Sequence, residues 1–163
     1  YQDRRDSQTI KNLKITGIDI NHNYLNHCAS LIKKYHLENN IQIYEEPVEA
    51  FSPREKNFFD TIFFSMSFML FKDQDLVLDR IKDWVKPNGD VIFFQTMFPK
   101  RFRLMEVIKP NLRYLTGIEF GNVTYESEFL ELLDQKQFLT KENRLLKENW
   151  FQGEYRMIVA SPK

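Results

Sequence analysis

The run Phe59-Asp60-Thr61-Ile62-Phe63-Phe64-Ser65 is apolar on both faces of an extended chain. Such a strand must be covered on both sides, the condition of a central parallel strand between two layers of helices. Leu13 to Ile20 is a second apolar run, and Asp90 to Gln95 a third. Between them lie segments of helical periodicity. Asn21-His22-Asn23 supplies a cap for Tyr24 to Tyr35, with Leu25, Cys28, Leu31 and Ile32 at helical spacing. Leu76 to Val85 is amphipathic, with Leu76, Val77, Ile81 and Trp84 on one side. Lys86-Pro87-Asn88-Gly89 reads as the turn that stops it. Ile41 to Tyr44 reads as a short strand, and Val48 to Phe51 as one helical turn. Alternating strands and helices with short connections argue for an α/β fold with a mostly parallel sheet.

The later part of the chain has a different grain. Lys100 to Lys109 reads as helical, and Pro110 to Asn122 as irregular. Thr124 is a candidate N-cap for a helix from Tyr125 to Leu133, with Glu126 and Glu128 suited to its positive end. Leu145 to Phe151 and Tyr155 to Ala160 flank Gln152-Gly153 and read as a C-terminal antiparallel hairpin. Tyr1 to Lys11 is polar and without periodicity, and reads as a tail or the end of a missing element.

Composition excludes some classes of function. The 163 residues suffice for one domain, and 42% hydrophobic with 28% charged residues suits a soluble globular protein. A formal net charge of +0 gives no general reason to expect nucleic acid or an anionic membrane as partner. Lys100-Arg101-Phe102-Arg103 is one short basic run, of the kind found on solvated helix faces. Cys28 is the sole cysteine, so no internal disulfide can form, which fits a reducing, intracellular compartment such as the cytoplasm. A buried packing thiol is the expectation for it. No apolar run is long enough to span a bilayer, and no secretory signal opens the chain.

Four pieces of the sequence, taken in order, resemble the class I S-adenosylmethionine-dependent methyltransferases, in particular their small-molecule branch. Gly17-Ile18-Asp19-Ile20-Asn21 looks like the family's second strand, with Gly17 allowing a tight turn. Ile41 to Phe51 looks like its third strand and adenine-side turn. Phe59-Asp60-Thr61-Ile62 followed by Ser65-Met66-Ser67-Phe68 looks like the fourth strand and the loop beneath the sulfonium. Val85 to Ile92 looks like the end of a helix, a Lys-Pro-Gly-Gly turn and the fifth strand. The resemblance implies a Rossmann-like three-layer sandwich with a C-terminal antiparallel hairpin, over a single domain covering residues 1–163. It implies S-adenosylmethionine as cofactor and a small molecule as methyl acceptor, and it calls for no metal.

The resemblance also assigns roles. Asp19 would take the two ribose hydroxyls, with Ile20 beside it, and Tyr24 would lie near the adenine. Val48 could offer its backbone N–H to an adenine ring nitrogen, and Ser65 and Met66 would lie on the methyl-transfer side. Each assignment has a structural alternative. Asp19 could be a solvated helix-capping acid, Tyr24 a core tyrosine, and Ser65 to Leu70 a core stripe. Where many members carry an acid for the adenine amino group, this chain has Pro47, with Glu46 and Glu49 as neighbouring substitutes. His22, His27, Tyr114, Glu119 and Tyr125 carry no catalytic assignment.

The family's first strand and its glycine-rich loop have no counterpart, since no glycine precedes Gly17. Three explanations follow, in order of preference: an N-terminally incomplete chain, a strand donated by another segment or partner chain, or direct pairing of the strands ending at Ile20 and Ser65. Two further functions compete with methyl transfer: a catalytically inactive methyltransferase-like subunit or scaffold, and another α/β nucleotide binder such as a dehydrogenase domain. The closing hairpin and the Phe59-Asp60 strand speak against the last.

Overall fold

The computed structural model describes residues 12–101, 103–111, 114, 121, 123–148 and 153–163. The expected tail, Glu119 and most of the irregular segment lie outside them. So do the expected end of the first hairpin strand at Phe151 and the residue Gln152. The described elements run β1 Ile15–Asp19, α1 His22–Lys34, β2 Ile41–Glu45, β3 Phe59–Ser65, a short 3-10 helix Phe68–Leu70 and α2 Gln74–Trp84. They continue with β4 Val85–Met97, α3 Arg103–Asn111, α4 Glu126–Gln135, β5 Phe138–Glu148 and β6 Glu154–Pro162. The chain divides into two compact units, Tyr1–Ser52 and Pro53–Lys163.

In the first unit β1 and β2 run parallel, with Ile15 opposite Ile41 and Asp19 opposite Glu45. Helix α1 connects them, as a parallel crossover requires. Asn21 starts α1 by accepting from the amides of Asn23 and Tyr24. Leu25 and Ile32 are its buried residues. Cys28, expected to be buried, is half-buried, and Leu31 is exposed, because a single two-stranded sheet covers little of the helix. Gly17 lies within β1, where a Cβ would stand 3.3 Å from the Ile43 side chain. Its role is close approach of two strands and not the tight turn expected of it.

The second unit holds a four-stranded sheet of order β3-β4-β6-β5. β3 and β4 are parallel, and β6 is antiparallel to both β4 and β5. The result is a mixed α/β sheet, with the hairpin strand β6 inserted between β4 and β5. One face of β4 buries Val91, Phe93, Gln95 and Met97 completely. Phe68, Phe93 and Phe129 meet edge to face at 5.0–5.6 Å and bring the 3-10 helix and α4 onto that face. Val77, Leu78 and Ile81 of α2 are fully buried. Leu76, expected on the same side, is exposed.

Four boundaries depart from expectation. Lys86 to Gly89 does not separate helix from strand but lies inside β4. The ladder passes from Phe59–Val85 to Thr61–Asp90, so these residues loop out as an irregularity of the strand. Gly89 permits this, since a Cβ there would stand 2.7 Å from the Asp60 carbonyl oxygen. The N-cap of α4 is Tyr125 and not Thr124, and no side chain caps it. β5 begins at Phe138, well before Leu145, because its outer residues are too polar to read as a strand. α3 starts at Arg103 and not Lys100. Among the described residues β1 pairs with β2, and β3 with β4.

Candidate functional site

Asp19 closes β1 at its carboxyl end, the side on which open α/β sheets hold ligands. Its Oδ1 accepts the Asn21 N–H at 2.8 Å. Asn21 Oδ1 in turn accepts from Asn23 N–H at 3.0 Å and Tyr24 N–H at 3.3 Å. This chain of caps fixes the turn and holds the carboxylate at the strand tip. Asp19 does cap locally, as its structural alternative anticipated, but one amide does not fill a carboxylate's four acceptor sites. The residue is exposed, as are Ile20 at 73% and Tyr24 at 64%. A core role for Tyr24 is therefore excluded.

β2 ends beside β1. Glu45 stands opposite Asp19, and its Oε2 lies 2.7 Å from His22 Nδ1. Sequence reasoning missed Glu45, considering Glu46 and Glu49 instead. Only the strand register puts it next to Asp19, and no spacing rule along the chain carries that register. After β2 the Pro47 carbonyl accepts from Ala50 and Phe51 N–H at 2.9 and 3.1 Å, closing the expected helical turn around a half-buried Val48. Phe51 is buried and packs its ring 5.6 Å from that of Tyr44. The first unit thus brings Asp19, Ile20 and Tyr24 to one strand end and sets Val48 in the turn after the neighbouring strand.

Ser65 and Met66 belong to the second unit. Ser65 is the last residue of β3, opposite Phe94. Met66 has φ 56°, in the left-handed region, and its N–H donates to the Phe94 carbonyl at 2.7 Å. A non-glycine residue there costs about 1–3 kcal/mol and marks functional turns more often than chance. The turn delivers Phe68 and Met69 into the core, at 1% and 5% exposure, so these two are packing residues. Gly121, at φ +63°, sits against the Met69 carbonyl, where a Cβ would come within 2.4 Å.

Lys109 is the one basic or acidic side chain among the buried described residues. It lies 4.0 Å from Met69 Sδ, and burial pushes its ammonium pKa down to about 8. Around Tyr125 the chain ends of β4, α3 and α4 are tied together. Tyr125 Oη donates to Glu106 at 2.6 Å, Arg101 donates to Glu128 at 2.8 Å, and the Arg101 guanidinium lies 5.9 Å from the Tyr125 ring centre. Phe98, Met105 and Val123 pack with Tyr125. An open cavity of about 350 Å³ adjoins this corner, walled by Phe71, Val123, Phe129 and Leu132 with Lys72, Asp75 and Glu128 at its rim. None of Asp19, Ile20, Tyr24, Val48, Ser65 and Met66 lines it.

A family profile described as a methyltransferase domain matches residues 6–93, more than half of the chain. The chain belongs to the class I S-adenosylmethionine-dependent methyltransferase family. A malonyl-[acyl-carrier protein] O-methyltransferase from Ilyobacter polytropus is 25% identical over 142 residues, covering 85% of this chain and 51% of the relative. The chain therefore spans about half the length of the curated relative it matches. Among solved structures, the [4+2]-cyclase SpnF superposes with a TM-score of 0.74 at 13% identity, covering 98% of this chain and 71% of the other. Geranyl diphosphate C-methyltransferase from Streptomyces coelicolor superposes with a TM-score of 0.75 at 8% identity, covering 93% and 64%. Both likenesses place the methyltransferase chain in the Rossmann-like fold. Among the described residues no helix is long and apolar enough to cross a membrane.

Proposed function

We propose that this protein transfers a methyl group from S-adenosylmethionine to a small-molecule acceptor, as a single domain within the reducing interior of the cell. The observation that carries the reading is the exposed Asp19 carboxylate at the carboxyl end of β1, within the stretch that matches the family. Asp19 would accept both ribose hydroxyls, with Ile20 and Tyr24 flanking the nucleoside and the Val48 N–H meeting an adenine ring nitrogen. Ser65 and Met66 would serve the methyl-transfer side. The cofactor, when bound, supplies an electrophilic methyl on a sulfonium. The work left to the residues is binding and in-line alignment. An acceptor whose nucleophile is already ionised needs no general base, which suits a chain with no assigned catalytic acid or base. A strand-donating segment or partner chain completes the sheet at β3.

Pro47 favours a second reading, a catalytically inactive methyltransferase-like subunit, because proline lacks the side-chain acceptor that would grip the adenine amino group. Calorimetric titration of S-adenosylmethionine and S-adenosylhomocysteine into the full-length protein separates the two. Methyl transfer requires saturable heat, and Asp19→Ala should weaken it at least about 100-fold, the equivalent of losing two hydrogen bonds to a charged group. Absence of heat from wild-type protein would leave the subunit reading.

A further inference from the structure

Glu45 stands where a residue reading the base of a bound nucleoside would stand. We propose that Glu45, held by His22, selects adenine in the cofactor by accepting a hydrogen bond from its exocyclic amino group. This deepens the function proposed above and rests on its reading of Asp19 as the ribose acid.

The strand register brings the two acids together. Asp19 pairs with Glu45 across parallel strands, so their side chains leave the same face of the sheet about 4.8 Å apart. Asp19 is committed to the sugar. Glu45 stands one strand further along, on the side of the turn from Pro47 to Phe51, and its extra methylene lengthens its reach beyond the sugar toward the base. Its neighbours in sequence are less well placed. Alternation along the strand sends Glu46 to the opposite face, and Pro47 has no side-chain acceptor.

The Glu45 side chain is fixed from outside its strand. Its Oε2 lies 2.7 Å from His22 Nδ1. A carboxylate only accepts, so the proton sits on Nδ1 and the ring donates to Glu45. His22 is the first residue of α1, set in place by the same turn that carries Asp19 and in which Asn21 takes the Asn23 and Tyr24 amides. One cap therefore orients both acids. The His22 and Glu45 side chains are 66% and 52% exposed, so the pair adds little to stability and the rest of the carboxylate stays open to a ligand.

The base edge of adenine sets a donor, the amino group, beside an acceptor, the ring N1. The end of β2 offers the complement. Glu45 accepts, and the Val48 N–H, which donates to none of the described residues, is the donor. Hypoxanthine reverses both positions, bringing a carbonyl against the carboxylate and an N–H against the Val48 N–H. A site built on hydrogen bonds rejects such a reversal because its own polar groups are left unpaired.

Calorimetric titration of S-adenosylhomocysteine and S-inosylhomocysteine into the full-length protein tests this, because their affinity ratio reads the base edge alone. Wild-type protein should prefer the adenine ligand about 10- to 100-fold, the equivalent of one hydrogen bond to a charged group. Glu45→Gln, whose carboxamide both donates and accepts, should bring the two ligands within about 3-fold of each other. His22 is a positioning residue, so His22→Ala should lower the ratio by weakening the adenine ligand and leave the hypoxanthine ligand unchanged. Glu46→Gln and Glu49→Gln should keep the wild-type ratio. A wild-type ratio in Glu45→Gln overturns the proposal, as does its collapse in Glu46→Gln or Glu49→Gln instead. Tight binding of both ligands without preference overturns this proposal and leaves the cofactor reading standing. Absence of heat with either ligand overturns both.

Discussion

Gln95 shows what a buried polar side chain costs when the fold does not answer it. It is 1% exposed on β4, and among the described residues neither its Nε2 nor its Oε1 has a hydrogen-bond partner. Arg156 stands opposite it on β6 but spends its guanidinium on Glu126, Glu154 and Asn143. An unanswered buried amide costs about 1–3 kcal/mol, whereas an apolar group of the same shape costs nothing of that kind. Gln95→Met should therefore raise stability by about 1–2 kcal/mol. Urea unfolding would register this as a higher midpoint at unchanged slope. A lower midpoint would mean that the amide is satisfied in solution. In the sequence Gln95 marks nothing but the end of an apolar run. Its loneliness is a property of neighbours supplied by β6, more than fifty positions away. Asp19 lies at the opposite extreme, because a carboxylate closing an apolar strand can be read from local order alone.

At the scale of elements, helix α3 inverts what its sequence suggests. Leu104, Val107 and Ile108 form an apolar stripe by spacing, yet they are 58%, 64% and 39% exposed. Met105 and Lys109, one turn apart, face the interior instead. Periodicity identifies that a helix exists but not which face its neighbours claim, and a lysine is the last residue one would place inside. The strands were more legible. β1, β3 and β4 show as apolar runs, whereas the first half of β5 is dominated by polar and charged residues and is exposed, so only its end from Leu145 reads as a strand.

Burial of Lys109 has a consequence for pH. Its native pKa is about 8, below the ordinary 10.5. Between those values the unfolded chain binds more protons than the native one, so stability rises with pH through that window. Below pH 8 both states are protonated and the penalty of a buried ammonium is fully present. The gain from pH 7.5 to 10 should be on the order of 2–3 kcal/mol. Lys109→Met should flatten this slope and be the more stable protein at pH 7. Parallel slopes for the two proteins would remove Lys109 as the cause.

Stability across the whole molecule is unevenly distributed. The unit Tyr1–Ser52 contributes Leu25, Ile32 and Phe51 to the buried apolar set, while Pro53–Lys163 contributes all the rest, including the Phe64, Phe68, Phe93 and Phe129 cluster. The smaller unit has few buried apolar side chains to hold it closed. Opening it exposes little apolar surface, whereas opening β4 exposes the centre of the larger core. Native-state hydrogen exchange should therefore find the amides of β1 and β2 exchanging at least about 100-fold faster than Val91 to Phe94 on β4 and Ile158 on β6, after correction for intrinsic rates. The same comparison repeated with S-adenosylmethionine has a defined sign. A ligand gripping Asp19 stabilises the state in which β1 is formed, so protection should rise first in the smaller unit. Uniform protection in the free protein would mean that the two units unfold as one cooperative body. The surface proposed to bind the cofactor around Asp19 would then be as rigid as the core of β4, and any affinity it has would owe nothing to prior ordering of the smaller unit.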